Sequence, residues 1–230
     1  MTRLVLFDID GTLIDSGGAG GRAMARAMQS VFGATHVAGS VPMAGRTDAW
    51  ILSQMAAQHG FPDGSDDRAR FHDVYVALLA DELAHPACTS RVLEGVPALL
   101  RAMAGQSSGT VSLLTGNYRR GAELKLAHHG LWSHFTGGAF GDVTHDRAAL
   151  LGEAIEALAR AGGPTVAPHE VLIVGDTPLD VDVAVRGGAR ALAVATGGYD
   201  VATLRAAGAD VVVEDLRDTH AVLRACGWVA

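Results

Sequence analysis

The sequence predicts an α/β fold: a parallel sheet with helices on both faces, interrupted near its start by an all-helical insertion. Three observations predict it. Short apolar runs of strand length recur at residues 4–7, 111–114 and 171–174, with helical stretches between them; such alternation implies parallel strands joined by helical crossovers. These runs end in polar residues, at Asp8, Thr115 and Asp176, where open parallel sheets place their ligands. Between residues 21 and 91 only helical spacing is evident.

Leu4-Val5-Leu6-Phe7 suits a strand buried on both faces. It runs into Asp8 and Asp10, and Gly11 then permits a tight turn. The glycine-rich residues 13–21 read as a hinge and a helix start. Gly18-x-Gly20-x-x-Ala23 matches a dinucleotide fingerprint only superficially, because it does not directly follow the strand. Ala23, Ala27, Met28 and Val31 mark the apolar face of a first helix, with Gly33 as its stop. Trp50, Ile51, Met55 and Ala56 mark a second over 47–59. Phe71, Val74, Tyr75, Leu78 and Leu79 mark a third over 66–83, and Pro86 closes the insertion. The predicted division is a core of residues 1–15 and 92–230 with a helical domain of 16–91 between its parts. In the core, a short helix ends at Gly105, a strand leads into Thr115-Gly116-Asn117, and a helix runs to Gly130. A short strand near 138–140, an amphipathic helix over 147–160 and strands at 171–176, 191–195 and 211–213 complete the set.

Composition narrows the function. The chain has 230 residues, 49% hydrophobic and 19% charged, which suits a globular core. A formal charge of -7 argues against nucleic acid as a partner. Two cysteines, Cys88 and Cys226, lack metal-like spacing and fit a reducing cytoplasm. Neither a cleavable leader nor a membrane-spanning stretch is expected, and the oligomeric state is left open.

The chemistry follows from the strand ends. Asp8 and Asp10, both ionised at the end of a buried strand, repel one another; a hard divalent cation such as Mg²⁺ removes that penalty. Thr115 offers a hydroxyl, and Gly116 and Asn117 offer N–H groups at an expected helix N-terminus, a ready anion site. Asp176 ends a buried strand, where it can face the same ion. Asp180, three residues after Thr177, also fits a capping box with Asp in place of Glu. Asp182 reads as helix surface, and His128-His129 beside Gly130 as a helix C-terminus.

These motifs resemble those of the haloacid dehalogenase-like hydrolase superfamily. Asp8-x-Asp10-Gly11-Thr12 is similar to its first motif, in the form of its phosphatases rather than its dehalogenases. Thr115-Gly116-Asn117 and Gly175-Asp176-Thr177-Pro178-Leu179-Asp180 follow in the family's order. The resemblance implies a Rossmann-like parallel core with an inserted helical cap. It implies a Mg²⁺-dependent phosphatase acting on a small phosphorylated metabolite through an aspartyl-phosphate, with Asp8 as nucleophile and Asp10 as general acid and base. Thr115 would hold phosphate, and Mg²⁺ would be held by Asp8, the Asp10 backbone carbonyl, Asp176 and the motif acid Asp180. Thr196-Gly197-Gly198-Tyr199 resembles a loop of the phosphoglycolate phosphatase-like members and reads as a turn; phosphoglycolate is one substrate suggested by analogy.

The family's usual Lys-Pro pair is absent, so Arg147 and Lys125 compete as the phosphate-side cation. Arg147 is preferred, because it begins the helix leading to the strand of Asp176. Arg46, in Gly45-Arg46-Thr47-Asp48, is a candidate clamp for an anionic substrate group, against the simpler reading of a solvated helix-start residue. A phosphomutase of the same superfamily is the near alternative. A receiver-like signalling module is the distant one.

Overall fold

In the computed structural model, residues 2–34, 39, 41–106 and 109–229 are described. In chain order the elements are β1 (Leu4–Phe7), β2 (Ile14–Asp15), α1 (Ala19–Phe32), α2 (Asp48–His59), α3 (Ser65–Ala84), β3 (Arg91–Val92), α4 (Val96–Ala104), β4 (Thr110–Leu114) and α5 (Arg119–His128). They continue with β5 (Gly138–Ala139), α6 (Ala149–Arg160), β6 (Val171–Gly175), α7 (Pro178–Gly187), β7 (Arg190–Val194), α8 (Val201–Ala206), β8 (Val211–Val213) and α9 (Thr219–Cys226).

Six strands form one parallel sheet in the order β5-β4-β1-β6-β7-β8. The apolar run of β1 is explained by its central place. Val5 and Phe7 pack on one side among Leu99, Leu100 and Val222, while Leu4 and Leu6 pack on the other among Leu150, Val181 and Leu204. A strand buried on both faces has no solvent side, so its sequence does not alternate. In register, Phe7 pairs with Leu113 of β4 and Val174 of β6. Asp8, Thr115 and Asp176 are therefore the residues that immediately follow three adjacent strands, at the carboxyl edge where the strand order reverses.

The insertion has a core of its own. Met24, Ala27 and Met28 of α1 pack with Ile51, Leu52 and Met55 of α2 and with Phe71, Tyr75 and Leu79 of α3. Its two roots are joined by β2 and β3, which pair antiparallel through Ile14 with Val92 and Asp15 with Arg91. The ladder sits at the boundary between the predicted core and the insertion, with only Arg91 on the insertion's side; no strand is read there from the sequence, because strands of two residues are too short to carry a period. Among the described residues no helix is long and apolar enough to cross a membrane.

The start of α2 docks on the core through its backbone. The N–H groups of Asp48 and Ala49 are first-turn donors without partners inside the helix. They donate to the carbonyls of Gly116 (2.7 Å) and Gly141 (3.2 Å), and the Thr47 hydroxyl donates to the Thr144 carbonyl at 2.7 Å. So close an approach needs glycine on the core side. A Cβ on Gly116 would overlap the Arg46 carbonyl, and one on Gly141 would overlap the Gly116 carbonyl.

Two Gly→Ala replacements should therefore differ in sign. Gly141→Ala should lower stability to urea by about 1–3 kcal/mol, the range for overpacking. Gly152 lies within α6 with open space around it, so Gly152→Ala should raise stability by about 0.5–1 kcal/mol. Equal midpoints for the two variants would refute this account of the docking.

Candidate active site

The edge of β1, β4 and β6 meets the insertion around a cavity of about 340 Å³. The core contributes Asp8, Asp10, Thr115, Asn117, Arg147 and Asp176 to its wall. From outside that set come Asp48, Ile51 and Tyr75 of the insertion and Lys125 of α5. Apart from Asp180, which is not part of this wall, the sequence-predicted residues thus line one cavity, although they span the chain from residue 8 to residue 176.

Asp8, Asp176 and Asp180 each present a carboxylate oxygen within 4.8 Å of the other two, all buried. Burial pushes the Asp8 carboxyl up to about 6 and the Asp176 carboxyl up to about 8, with Asp180 adding like-charge repulsion at both. Among the described residues the cation they share is Arg147, whose Nη2 forms an ion pair with Asp8 Oδ2 at 3.1 Å and donates to Asp180 Oδ1. Burial opposes its charge, but Asp180 and Asp8 outweigh that and push the guanidinium further above its ordinary pKa. Three carboxylates against one guanidinium leave the cluster short of positive charge. Such an all-oxygen, anionic donor set fits a hard divalent cation.

The three acids differ in what already holds them. Asp180 Oδ2 accepts from the Thr177 N–H (3.0 Å) and hydroxyl (2.7 Å), while the Asp180 N–H donates back to Thr177 Oγ1 at 3.3 Å. This is the capping box at the start of α7. With Arg147 on its other oxygen, Asp180 backs the cluster, and Asp8 and Asp176 are the better placed to face an ion. Asp176 Oδ1 accepts from the Thr12 hydroxyl at 3.2 Å. Gly11, at φ 81°, and Gly197 lie so close to this carboxylate that a Cβ on either would overlap it. The Gly197-Gly198 turn thus makes room for Asp176, a contact its sequence alone did not suggest.

Asp10 stands apart from that cluster. Its Oδ2 accepts from Lys125 Nζ at 2.6 Å and from Asn117 Nδ2 at 2.9 Å. Burial raises its pKa, but Lys125, Asn117 and Ser16 more than offset this and hold the carboxyl below its ordinary value. Lys125 Nζ also donates to Asn117 Oδ1 at 2.7 Å. The two candidate cations do not compete for one place: Arg147 serves Asp8, and Lys125 serves Asp10. Lys125 reaches this far because α5 begins at Arg119 rather than at Asn117.

That later start corrects one expectation. Gly116 and Asn117 are not in the first turn of a helix; they form the bend before it, and the Asn117 N–H donates to Thr115 Oγ1 at 3.3 Å. Thr115 Oγ1 also accepts from Asn117 Nδ2 at 2.8 Å. Arg46, the candidate clamp, stands at the cavity wall. Its side chain is exposed and its guanidinium stacks over the Trp50 ring at 4.5 Å. His128 and His129 take no part in the acidic cluster, and Asp182 lies at the surface, 3.4 Å from Arg186.

Sequence reasoning passed over two cavity residues, Asp48 and Tyr75. Asp48 follows the N-cap Thr47 and so reads as an ordinary first-turn acid. Its Oδ2 instead accepts the Tyr118 N–H at 2.8 Å, and burial pushes its carboxyl up to about 7. Tyr75 continues the apolar face of α3 and reads as core. It is 1% exposed, and burial, with Asp48 and Asp10 nearby, holds its hydroxyl well above the ordinary pKa.

A family model described as haloacid dehalogenase-like hydrolase matches residues 5–184. Solved structures share the fold. A predicted phosphatase from Clostridium acetobutylicum superposes with a TM-score of 0.72 at 18% identity, covering 97% of this chain and 99% of its own. A predicted phosphoglycolate phosphatase from Haemophilus somnus 129pt gives 0.66 at 18% identity, covering 96% and 97%. A candidate β-phosphoglucomutase from Bacteroides vulgatus gives 0.70 at 20% identity, covering 98% and 89%. No curated protein matches the chain in sequence.

Two measurements test the electrostatics. Arg147→Met would leave Asp8 and Asp180 buried without their cation, so it should lower the stability of metal-free protein by about 3–5 kcal/mol; a loss under 1 kcal/mol in urea unfolding would contradict this. The second concerns pH. Asp8 and Asp176 have folded pKa values raised above the ordinary 3.8, so the folded state binds more protons than the unfolded state. Their contribution to stability therefore falls as pH rises from about 4 through 8. Adding Mg²⁺ should raise Tm, and the rise should be larger at pH 8 than at pH 6. A rise independent of pH would remove these acids from the ion's surroundings.

Proposed function

Because the chain belongs to the haloacid dehalogenase-like hydrolase family, we propose that it is a Mg²⁺-dependent phosphatase that hydrolyses a small phosphomonoester through an aspartyl-phosphate on Asp8. The observation that carries this reading is the division of labour between two neighbouring acids. Asp8 is held by Arg147 beside Asp176 and Asp180, while Asp10 is held separately by Lys125 and Asn117. Paired acids in unlike environments suit a nucleophile and a proton carrier. On this reading residues 16–91 act as a cap over the core of 1–15 and 92–230, and the protein works in the cytoplasm on a small phosphorylated metabolite.

Arg147 fixes the Asp8 carboxylate, which attacks phosphorus as the ester P–O bond breaks. The leaving oxygen takes its proton from Asp10. In the resting site Lys125 keeps Asp10 ionised; phosphoryl oxygens that draw Lys125 to themselves release this hold, so Asp10 takes up a proton as substrate binds. Water then attacks the phosphorus of the aspartyl-phosphate, Asp10 accepts the water's proton, and the bond to Asp8 breaks. Arg147 Nε, buried without an acceptor among the described residues, is a further donor at this place. When bound at Asp8 and Asp176, Mg²⁺ supplies charge neutralisation and orientation of the phosphoryl group; the Asp10 backbone carbonyl and Asp180 complete the candidate surroundings.

The fold likeness to a candidate β-phosphoglucomutase supports one second reading, transfer of the phosphoryl group to another substrate hydroxyl. A receiver-like module accounts for neither the helical insertion nor the Lys125-held Asp10.

Phosphate release from a panel of phosphomonoesters should require Mg²⁺ and stop with excess chelator. Asp8→Asn should abolish turnover, and Asp10→Asn should slow it by roughly 10²–10⁴-fold. Isomerised phosphoester in place of free phosphate would favour the mutase, and normal turnover by Asp8→Asn would refute both.

A further inference from the structure

The cavity has two chemically different ends. Its core end holds Asp8, Asp10, Asp176 and Arg147, and Lys125 lies between the two ends, beside Gly20 and the Tyr75 hydroxyl. Its other end is built by the insertion, from Asp48, Ile51 and Tyr75, with Met43 and the glycines Gly20 and Gly21. A substrate whose phosphoryl group faces Asp8 places the rest of its body against this second end.

The cations that line the cavity already have partners among the described residues. Lys125 is engaged by Asp10 at 2.6 Å and Asn117 at 2.7 Å, and Arg147 by Asp8 and Asp180. Arg46, the basic residue that the insertion brings to the cavity wall, turns its guanidinium onto Trp50. The acid that the insertion presents to the cavity is Asp48, anchored by the Tyr118 N–H. Bringing a substrate carboxylate against Asp48 either leaves two buried like charges together or forces proton uptake, and both weaken binding. A hydroxyl suits the same place: Asp48 accepts its proton, and the Tyr75 phenol donates to or accepts from a second one. Burial holds Tyr75 neutral. A cavity of about 340 Å³ is at the small end of ligand sites.

We infer that the substrate's leaving group is small, uncharged and hydroxyl-bearing, a polyol or monosaccharide rather than an acid, and that Asp48 and Tyr75 select it. This deepens the phosphatase reading and rests on it.

The test compares kcat/KM for glycerol 3-phosphate and 3-phosphoglycerate, which differ by a CH₂OH replaced with a carboxylate, alongside p-nitrophenyl phosphate. The protein should prefer glycerol 3-phosphate by at least about tenfold. Asp48→Asn keeps an acceptor for the Tyr118 N–H; it should shrink that preference by raising kcat/KM for 3-phosphoglycerate. Tyr75→Phe, which keeps the packed ring, should raise KM for glycerol 3-phosphate more than for the aryl phosphate. Turnover of the aryl phosphate with equal use of the matched pair, or an unchanged ratio in Asp48→Asn, would overturn this substrate class and leave the phosphatase reading standing. No phosphate release from any of the three with Mg²⁺ would overturn both.

Discussion

Repulsion among three buried carboxylates is the constraint on which this site depends. The sheet imposes it. Neighbouring strands run about 5 Å apart, and the register that pairs Phe7 with Val174 puts Asp8 level with Gly175, one residue before Asp176, so that their carboxylates come within 4.8 Å. Asp180 joins them from the first turn of α7. The chain offsets the repulsion in pieces: Arg147 bridges Asp8 and Asp180, Thr12 donates to Asp176, and the capping box occupies the rest of Asp180. Burial, together with the repulsion from Asp180 that remains, still holds the Asp8 and Asp176 carboxyls above their ordinary values. A cluster left in this state suits a divalent cation better than a closed set of structural ion pairs would.

Steric room is the complementary constraint. Asp176 can turn into the cluster because Gly11 and Gly197 carry no side chains there. The insertion can seat α2 on the core because Gly116 and Gly141 let the two backbones touch. These glycines lie on four different loops, so each is a local feature in sequence and part of a shared surface only in the fold.

The core was legible from the sequence because its signals are local and redundant. An apolar run such as Leu4-Val5-Leu6-Phe7 is long enough to identify a buried strand, and the polar residue after each run marks the sheet edge. Thr177 and Asp180 announced their capping box by spacing alone. What the sequence hid falls into two kinds. The β2–β3 ladder was too short to show a period. Asp48 and Tyr75 were masked by adequate simpler explanations, a first-turn acid and an apolar helix face, and only their convergence from α2 and α3 on one cavity separates them from other residues of those types. The rivalry between Arg147 and Lys125 arose because sequence order ranks cations along a line. In space they serve different acids, and both places are filled.

The docking of α2 ties the insertion to the chemistry more closely than packing alone would. The carbonyl that receives the Asp48 N–H belongs to Gly116, between Thr115 and Asn117. Asn117 in turn holds Asp10 and Lys125. The Asp48 side chain meanwhile accepts the N–H of Tyr118, the next residue along. Lifting the insertion would break both bonds to the 116–118 bend and expose the first-turn donors of α2 to water. The bend that sets the environment of Asp10 is therefore held in shape by the same helix end that contributes Asp48 to the cavity. A ligand held by Asp48 and Tyr75, as proposed, would add to that hold, whereas one too short to reach them would leave the bend with the bonds it already has to Asp48. On the proposed reading, selectivity and proton transfer would thus share a structural element, and a change at the far end of the cavity would alter the chemistry without touching Asp8.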